Sequence, residues 1–153
     1  EKSLIRAVKD GQDKEARWNM MMASTEGAMA FSKGLGAVHS MSHAIGADQE
    51  LRLHHGTLNA VILPTVLRFN KDHVGNKYSN ISRAMGKKDS SDLSEIIELL
   101  NIEIGLPVGL KEMGVTENMI PSLVEHSETD PSNATTPRLP NRGEWEKLFL
   151  EAM

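Results

Sequence analysis

Four of the six histidines in this 153-residue chain fall between residues 39 and 55. They sit in the stretch GLGAVHSMSHAIGADQELRLHHGTLNAVILP, from Gly34 to Pro64. His39 and His43 stand four apart, and His54 and His55 form an adjacent pair just before Gly56. Imidazole is a good ligand for Zn(II) and Fe(II), and it is also the side chain that carries protons near neutral pH. Residues four apart on a helix share a face, so His39 and His43 can reach one cavity. His55-Gly56 would return a third imidazole from a loop. The small residues around them let neighbouring backbone or a ligand come close.

Taken alone, an HxxxH pair fits a packed pair or two surface histidines as well as a metal site. The zinc-hydrolase form needs a Glu directly after the first His; Ser40 stands there, so that chemistry is not supported. Gly34–Gly36 is not a dinucleotide fingerprint either: His39 stands where the third glycine belongs, and no strand precedes it. With no cysteine in the chain, disulfides and thiolate ligands are excluded.

The elements that must position these histidines read as helices. SLIRAVKDG resembles a helix end, with Leu4, Ile5 and Val8 on one face and Gly11 as a stop. DKEARWNMMMASTEGAMAFSKG is a long run of helix formers that Asp13 can cap and Gly34 and Gly36 end. A short helix is expected over Ala37–Ile45, closing at Gly46, and then a polar loop through ADQELRLHH. GTLNAVILPTVLRFN is apolar nearly all round, the mark of a buried helix, in which Pro64 bends the axis or removes one backbone bond. Two further helices should end at Gly86 and Gly105, the second capped by Ser90 or Ser91. Thr116 is expected to cap a helix reaching about His126, and DPSNATTPRLPN is a loop. Asn141 and Glu144 stand at the N-cap and N3 positions of a last helix, a capping-box variant. The whole reads as a single all-α domain, 1–153, a bundle of about seven or eight helices.

Composition agrees. Aromatics are only 4% and Met numbers nine, a core palette better suited to packed helices than to sheets. Net charge is −4 with no basic run, which argues against nucleic acid. No apolar run approaches the roughly 20 residues of a membrane span, and no signal peptide is visible, so a cytoplasmic setting is expected. The chain opens on Glu1, so its true start is expected upstream. Trp18 and Trp145 are expected to be partly buried anchors, and Met20–Met22 to be core. His73, His126 and the Lys87–Lys88 pair have surface or helix-end readings.

The full histidine string resembles the signature of the iron-containing (group III) alcohol dehydrogenases. That pattern runs G-x-x-H-x-x-x-H-x-x-G, then H-G-x-x-N-A, then L-P. This chain matches it at Gly36, His39, His43, Gly46, His55, Gly56, Asn59, Ala60, Leu63 and Pro64. The tail DPSNATTPR and its closing helix are also similar.

The resemblance implies part of the C-terminal helical domain of a dehydroquinate synthase-like fold. It implies that His39 and His55 are metal ligands, with adjacency to Gly56 favouring His55 over His54. His43 would lie by the nicotinamide and substrate and help to relay a proton, and Phe31 would line the substrate pocket. The metal would be Fe(II) or Zn(II), acting as a Lewis acid on an alcohol, and hydride would pass to NAD or NADP. The substrate would be a small alcohol or aldehyde, and the parent a homodimer.

The family's other two ligands, an Asp and a His four apart on an earlier helix, have no counterpart. No D-x-x-x-H occurs, and the nearest analogue is Glu50 to His54. Nor do repeated strand–helix units of a nucleotide-binding domain. The chain is thus expected to begin after both, to bind metal weakly on its own and to be inactive alone. Within the superfamily, a zinc-dependent polyol dehydrogenase or a maleylacetate reductase-like enzyme is the alternative. Outside it, the alternative is a non-catalytic helical assembly module.

Overall fold

The computed structural model describes residues 2–88 and 92–153. Among them are eight α-helices, five short 3-10 turns and no strand. None of the helices is long and apolar enough to cross a membrane. The chain divides into two compact units, Glu1–Gly34 and Leu35–Met153.

The first unit pairs α1 (Leu4–Lys9) with α2 (Lys14–Ala30) and ends in a 3-10 turn, Phe31–Lys33. Asp13 caps α2 as its position predicts, accepting from the Ala16 N–H at 3.0 Å. Arg6 ties the corner by donating to Asp13 and Glu15. Gly34 closes the unit at φ 95°, a conformation that favours glycine. The expected burial of Trp18 and the Met run does not hold: Trp18 is 60% exposed, and Met21 and Met22 are exposed as well. Their pattern marks a helix, but a two-helix unit of this length has too little apolar surface to cover both sides of α2.

The second unit holds α3 (Ala37–Gly46), α4 (His55–Asn70), α5 (Lys77–Ala84), α6 (Leu93–Glu103), α7 (Ile120–Thr129) and α8 (Arg142–Ala152). Helix α4 is central and packs against α3, α6 and α8, while α7 lies against α3 and α8. The core between them is built from Met41 and Ile45 on α3, Leu58 and Ile62 on α4, Val124 on α7, and Trp145 and Phe149 on α8. Trp145 is fully buried, beyond the partial burial expected of it.

Pro64 does not break α4. A proline lacks the N–H that would bond the carbonyl four residues back, which here is that of Ala60. The Asn101 amide on α6 donates to that carbonyl at 2.7 Å. The bond that Pro64 removes from α4 is thus replaced across the α4–α6 contact.

Two caps differ from expectation. Asp92 caps α6, accepting from the Ser94 N–H at 2.9 Å, while Ser90 and Ser91 lie outside the described residues. Thr116 precedes a 3-10 turn, Glu117–Met119, without a side-chain cap bond. Its hydroxyl turns to Asn118 instead, and α7 starts with Pro121 in its first turn and runs to Thr129. The Asn141–Glu144 capping box forms as read: the Asn141 side chain accepts from the Glu144 N–H at 3.0 Å, and Glu144 accepts from the Asn141 N–H at 2.9 Å.

Candidate functional site

Helices α3 and α4 bring His39, His43 and His55 together. Ring centroids of His39 and His55 are 5.3 Å apart, those of His43 and His55 5.4 Å, and those of His39 and His43 5.7 Å. The His43 and His55 rings are nearly parallel, at 14°. His55 is not presented by a loop, as expected, but is the first residue of α4.

The loop ends instead at His54, which has a structural task. Its Nδ1 accepts from the Thr57 N–H at 3.3 Å and caps α4. Gly56 permits this, because a Cβ there would lie 3.0 Å from His54 Cε1.

Asn59, one turn after His55, links two of the rings. Its Nδ2 donates to His55 Nε2 at 3.0 Å and reaches His39 Nε2 at 3.4 Å. An Nε2 that accepts from this amide carries a lone pair, which corresponds to the tautomer with the ring proton on Nδ1. The surroundings of His55 agree. Ser42 Oγ donates to the His39 carbonyl at 3.2 Å, leaving a lone pair toward His55 Nδ1 at 3.5 Å. Burial pushes the pKa of His39 below the ordinary imidazole value, and repulsion from His55 and His43 adds to the effect against an opposing pull from Asp130. The shift favours the neutral ring, the form that ligates metals.

His43 is placed differently. Its Nδ1 faces Asp130 Oδ2 at 2.9 Å, and its side chain is 42% exposed against 14% for Asp130. Burial alone would raise the Asp130 carboxyl. Hydrogen bonds from the Ser132 hydroxyl and N–H, and from His43, outweigh burial and hold it below the usual carboxylate range.

Asp130 caps a 3-10 turn, Pro131–Thr135, that lies along the start of α3. Within that turn, Asn133 Oδ1 accepts from the buried Ser40 hydroxyl at 2.7 Å, and the Asn133 amide donates to the Ser127 carbonyl at 2.7 Å. Thr135 donates to the Leu35 carbonyl, and the Ala37 N–H reaches Thr136 Oγ1 at 3.4 Å. The segment is thus a strap across the first turns of α3.

Phe31, the proposed pocket residue, opens the 3-10 turn of the first unit and is 58% exposed. His73 and His126 are exposed, as read. Glu50 lies in the loop before α4, its N–H bonded to Asp48. Among the described residues, no group of three or more His, Cys, Asp or Glu is placed to hold a metal ion.

Sequence reasoning missed Asp130 and the bridging role of Asn59. Asn59 was within reach, since it stands four residues after His55 on one helix face. Asp130 is 87 residues from His43, and no local spacing announces it.

Known proteins share both the sequence and the fold. The 4-hydroxybutyrate dehydrogenase of Cupriavidus necator is 43% identical over 97% of this chain and 41% of its own length. The crystal structure of a 1,3-propanediol oxidoreductase superposes with a TM-score of 0.93 at 32% identity, over 99% of this chain and 42% of that one. A sulfoacetaldehyde reductase from Bifidobacterium kashiwanohense, solved in complex with NAD+, gives a TM-score of 0.82 at 25% identity, over 99% of this chain and 40% of that one. The chain therefore spans about two fifths of the length of these relatives. The sequence profile described as "Fe-containing alcohol dehydrogenase family, C-terminal" matches residues 1–153. The histidine string and the helical unit that carries it are those of the Fe-containing alcohol dehydrogenases, and the chain belongs to the C-terminal part of that family.

Proposed function

We propose that this chain supplies half of the metal site, together with the proton-handling histidine, of an NAD(P)-dependent alcohol dehydrogenase. The observation that carries the reading is the turning of His39 Nε2 and His55 Nε2 toward one amide donor, Asn59 Nδ2. Two neutral imidazole nitrogens, with no thiolate in the chain, fit Fe(II) or Zn(II). Asn59 Oδ1 is buried beside them and has no hydrogen-bond partner among the described residues.

When bound, such an ion supplies Lewis acidity that favours the deprotonated alcohol. His39 and His55 would hold it. His43, outside that pair, would take the hydroxyl proton on Nε2 as hydride leaves carbon for the nicotinamide. Its exposed edge gives that proton a way to solvent. Phe31 would line the substrate pocket. The other ligands, an Asp and a His, and the nucleotide-binding domain would come from residues outside this chain. The relatives' names support small alcohols or aldehydes as substrates, and the NAD+ complex of one of them supports a nicotinamide partner. The parent is read as a cytoplasmic homodimer.

Two imidazoles bind a divalent ion less tightly than three histidines and a carboxylate. The chain alone should therefore bind Fe or Zn weakly and turn over no alcohol. In the full-length protein, His55→Ala should remove metal and activity together. Retained metal with full activity would show that His55 is not a ligand.

A further inference from the structure

We propose that Asp130 is a positioning residue that sets the working tautomer of His43, with the proton on Nδ1 and a lone pair on Nε2. The proposal rests on the reading of His43 as the proton carrier. A carboxylate only accepts, so at 2.9 Å it requires Nδ1–H on the ring. Nε2, across the ring, has no hydrogen-bond partner among the described residues, and the ring is 42% exposed. That leaves Nε2 able to take the alcohol's hydroxyl proton. The C–H hydride leaves for the nicotinamide, the O–H proton goes to Nε2, and the imidazolium formed keeps its Nδ1–H on the Asp130 carboxylate. The proton then passes to solvent.

Asp130 is itself held in register. Its Oδ1 accepts from the Ser132 N–H at 2.8 Å, which leaves Oδ2 to His43. Three residues on, Asn133 meets Ser40 at 2.7 Å, and Ser40 lies three residues before His43. Two contacts with matching spacing and opposite chain order fix the strap along α3, so the carboxylate cannot slide away from the ring. His39, four residues before His43, turns its Nε2 to Asn59.

The division of labour within the Asp130 carboxylate makes the test sharp. Asparagine caps a helical turn about as well as aspartate. In Asp130→Asn, the amide oxygen must stay with the Ser132 N–H, so the NH2 group faces His43 Nδ1. That forces Nδ1 to accept and moves the proton to Nε2, the wrong tautomer for a base. Asp130→Ser keeps a capping hydroxyl but does not reach the ring, leaving His43 a mixture of tautomers.

Imidazole 15N NMR of the wild type should show His43 protonated at Nδ1, and Asp130→Asn should move the proton to Nε2. In the full-length enzyme, kcat should fall in the order wild type, Asp130→Ser, Asp130→Asn. The last should lose about 100-fold or more, with KM and metal content unchanged. A purely structural cap predicts the reverse order for the two variants, since Asn is the closer replacement, and that order would overturn the proposal. So would Nε2–H in the wild type, which can be read even if a variant fails to fold. His43→Phe with undiminished kcat would instead overturn the reading of His43 itself, whatever the tautomer.

Discussion

Asn133→Ala isolates the strap from the chemistry it supports. The wild-type side chain donates to the Ser127 carbonyl at 2.7 Å and, less well, to the Glu128 carbonyl at 3.3 Å; it accepts from Ser40 Oγ at 2.7 Å. Two of these are good hydrogen bonds, each of net value about 1 kcal/mol. No further penalty for an orphaned group is due. The buried Ser40 hydroxyl still reaches the Gly36 carbonyl at 3.4 Å, and the Ser127 carbonyl still accepts the Asp130 N–H at 3.3 Å. The substitution should therefore cost about 2 kcal/mol. For a domain of this size, that lowers Tm by roughly 8 °C. Thermal unfolding followed by circular dichroism at 222 nm reads it directly.

Asn133→Asp should be worse than Ala although it keeps the acceptor for Ser40. It loses both donors and turns a negative charge toward the carbonyl end of α7, where the helix dipole opposes it. A drop below about 2 °C for Ala, or an Asp variant more stable than the Ala one, would refute the view that the strap is held by this amide. The same loosening should let His43 sample both tautomers in the 15N spectrum.

Other consequences are open to measurement. Trp145 is fully buried in the core, so Trp145→Ala should cost about 3–5 kcal/mol. Trp145→Phe should cost much less, because the buried indole N–H has no hydrogen-bond partner among the described residues; equal losses in urea denaturation would contradict that. His39 has a folded pKa below the ordinary 6.5, so the folded state resists protonation that the unfolded chain accepts. Its contribution to stability is fully present above that ordinary value and is lost as pH falls through the lowered one. Urea midpoints should drop from pH 7.5 to pH 5.5, and His39→Asn should flatten the slope. An unchanged slope would show that His39 is not the group responsible.

What the sequence made legible was local. The capping box at Asn141 and Glu144, the Asp13 cap and the bounds of α3 follow from residues within one turn of each other, and all stand in the structure. Periodicity also marked α4, including the cost of Pro64. What it could not show was the Asn101 amide on α6 that takes up the Ala60 carbonyl, because that partner is 41 residues away. Adjacency to Gly56 separates His55 from His54 as a ligand, but the capping task of His54 is not legible, because a capping imidazole is rarer than a capping Ser or Asp. Trp18 and the Met run were misplaced for a different reason: a helical pattern tells which residues share a face, not whether anything covers it.

The two histidines of the HxxxH pair show where spacing stops being informative. His39 and His43 have the same spacing logic, the same helix and centroids 5.7 Å apart, so spacing alone would make them a matched pair of ligands. Their partners separate them. The Nε2 of His39 is turned to the amide it shares with His55, so its lone pair points into that pair's space. His43 gives Nδ1 to a carboxylate from the far end of the unit, and its ring stacks on His55 instead of converging with it. A ring hydrogen-bonded at Nδ1 to Asp130 is positioned by the strap, and a ring bonded at Nε2 to Asn59 is positioned by α4. The proposed split between ligand and proton carrier therefore follows from which neighbour each imidazole answers to. Moving Asp130, rather than either histidine, is the change that should blur it.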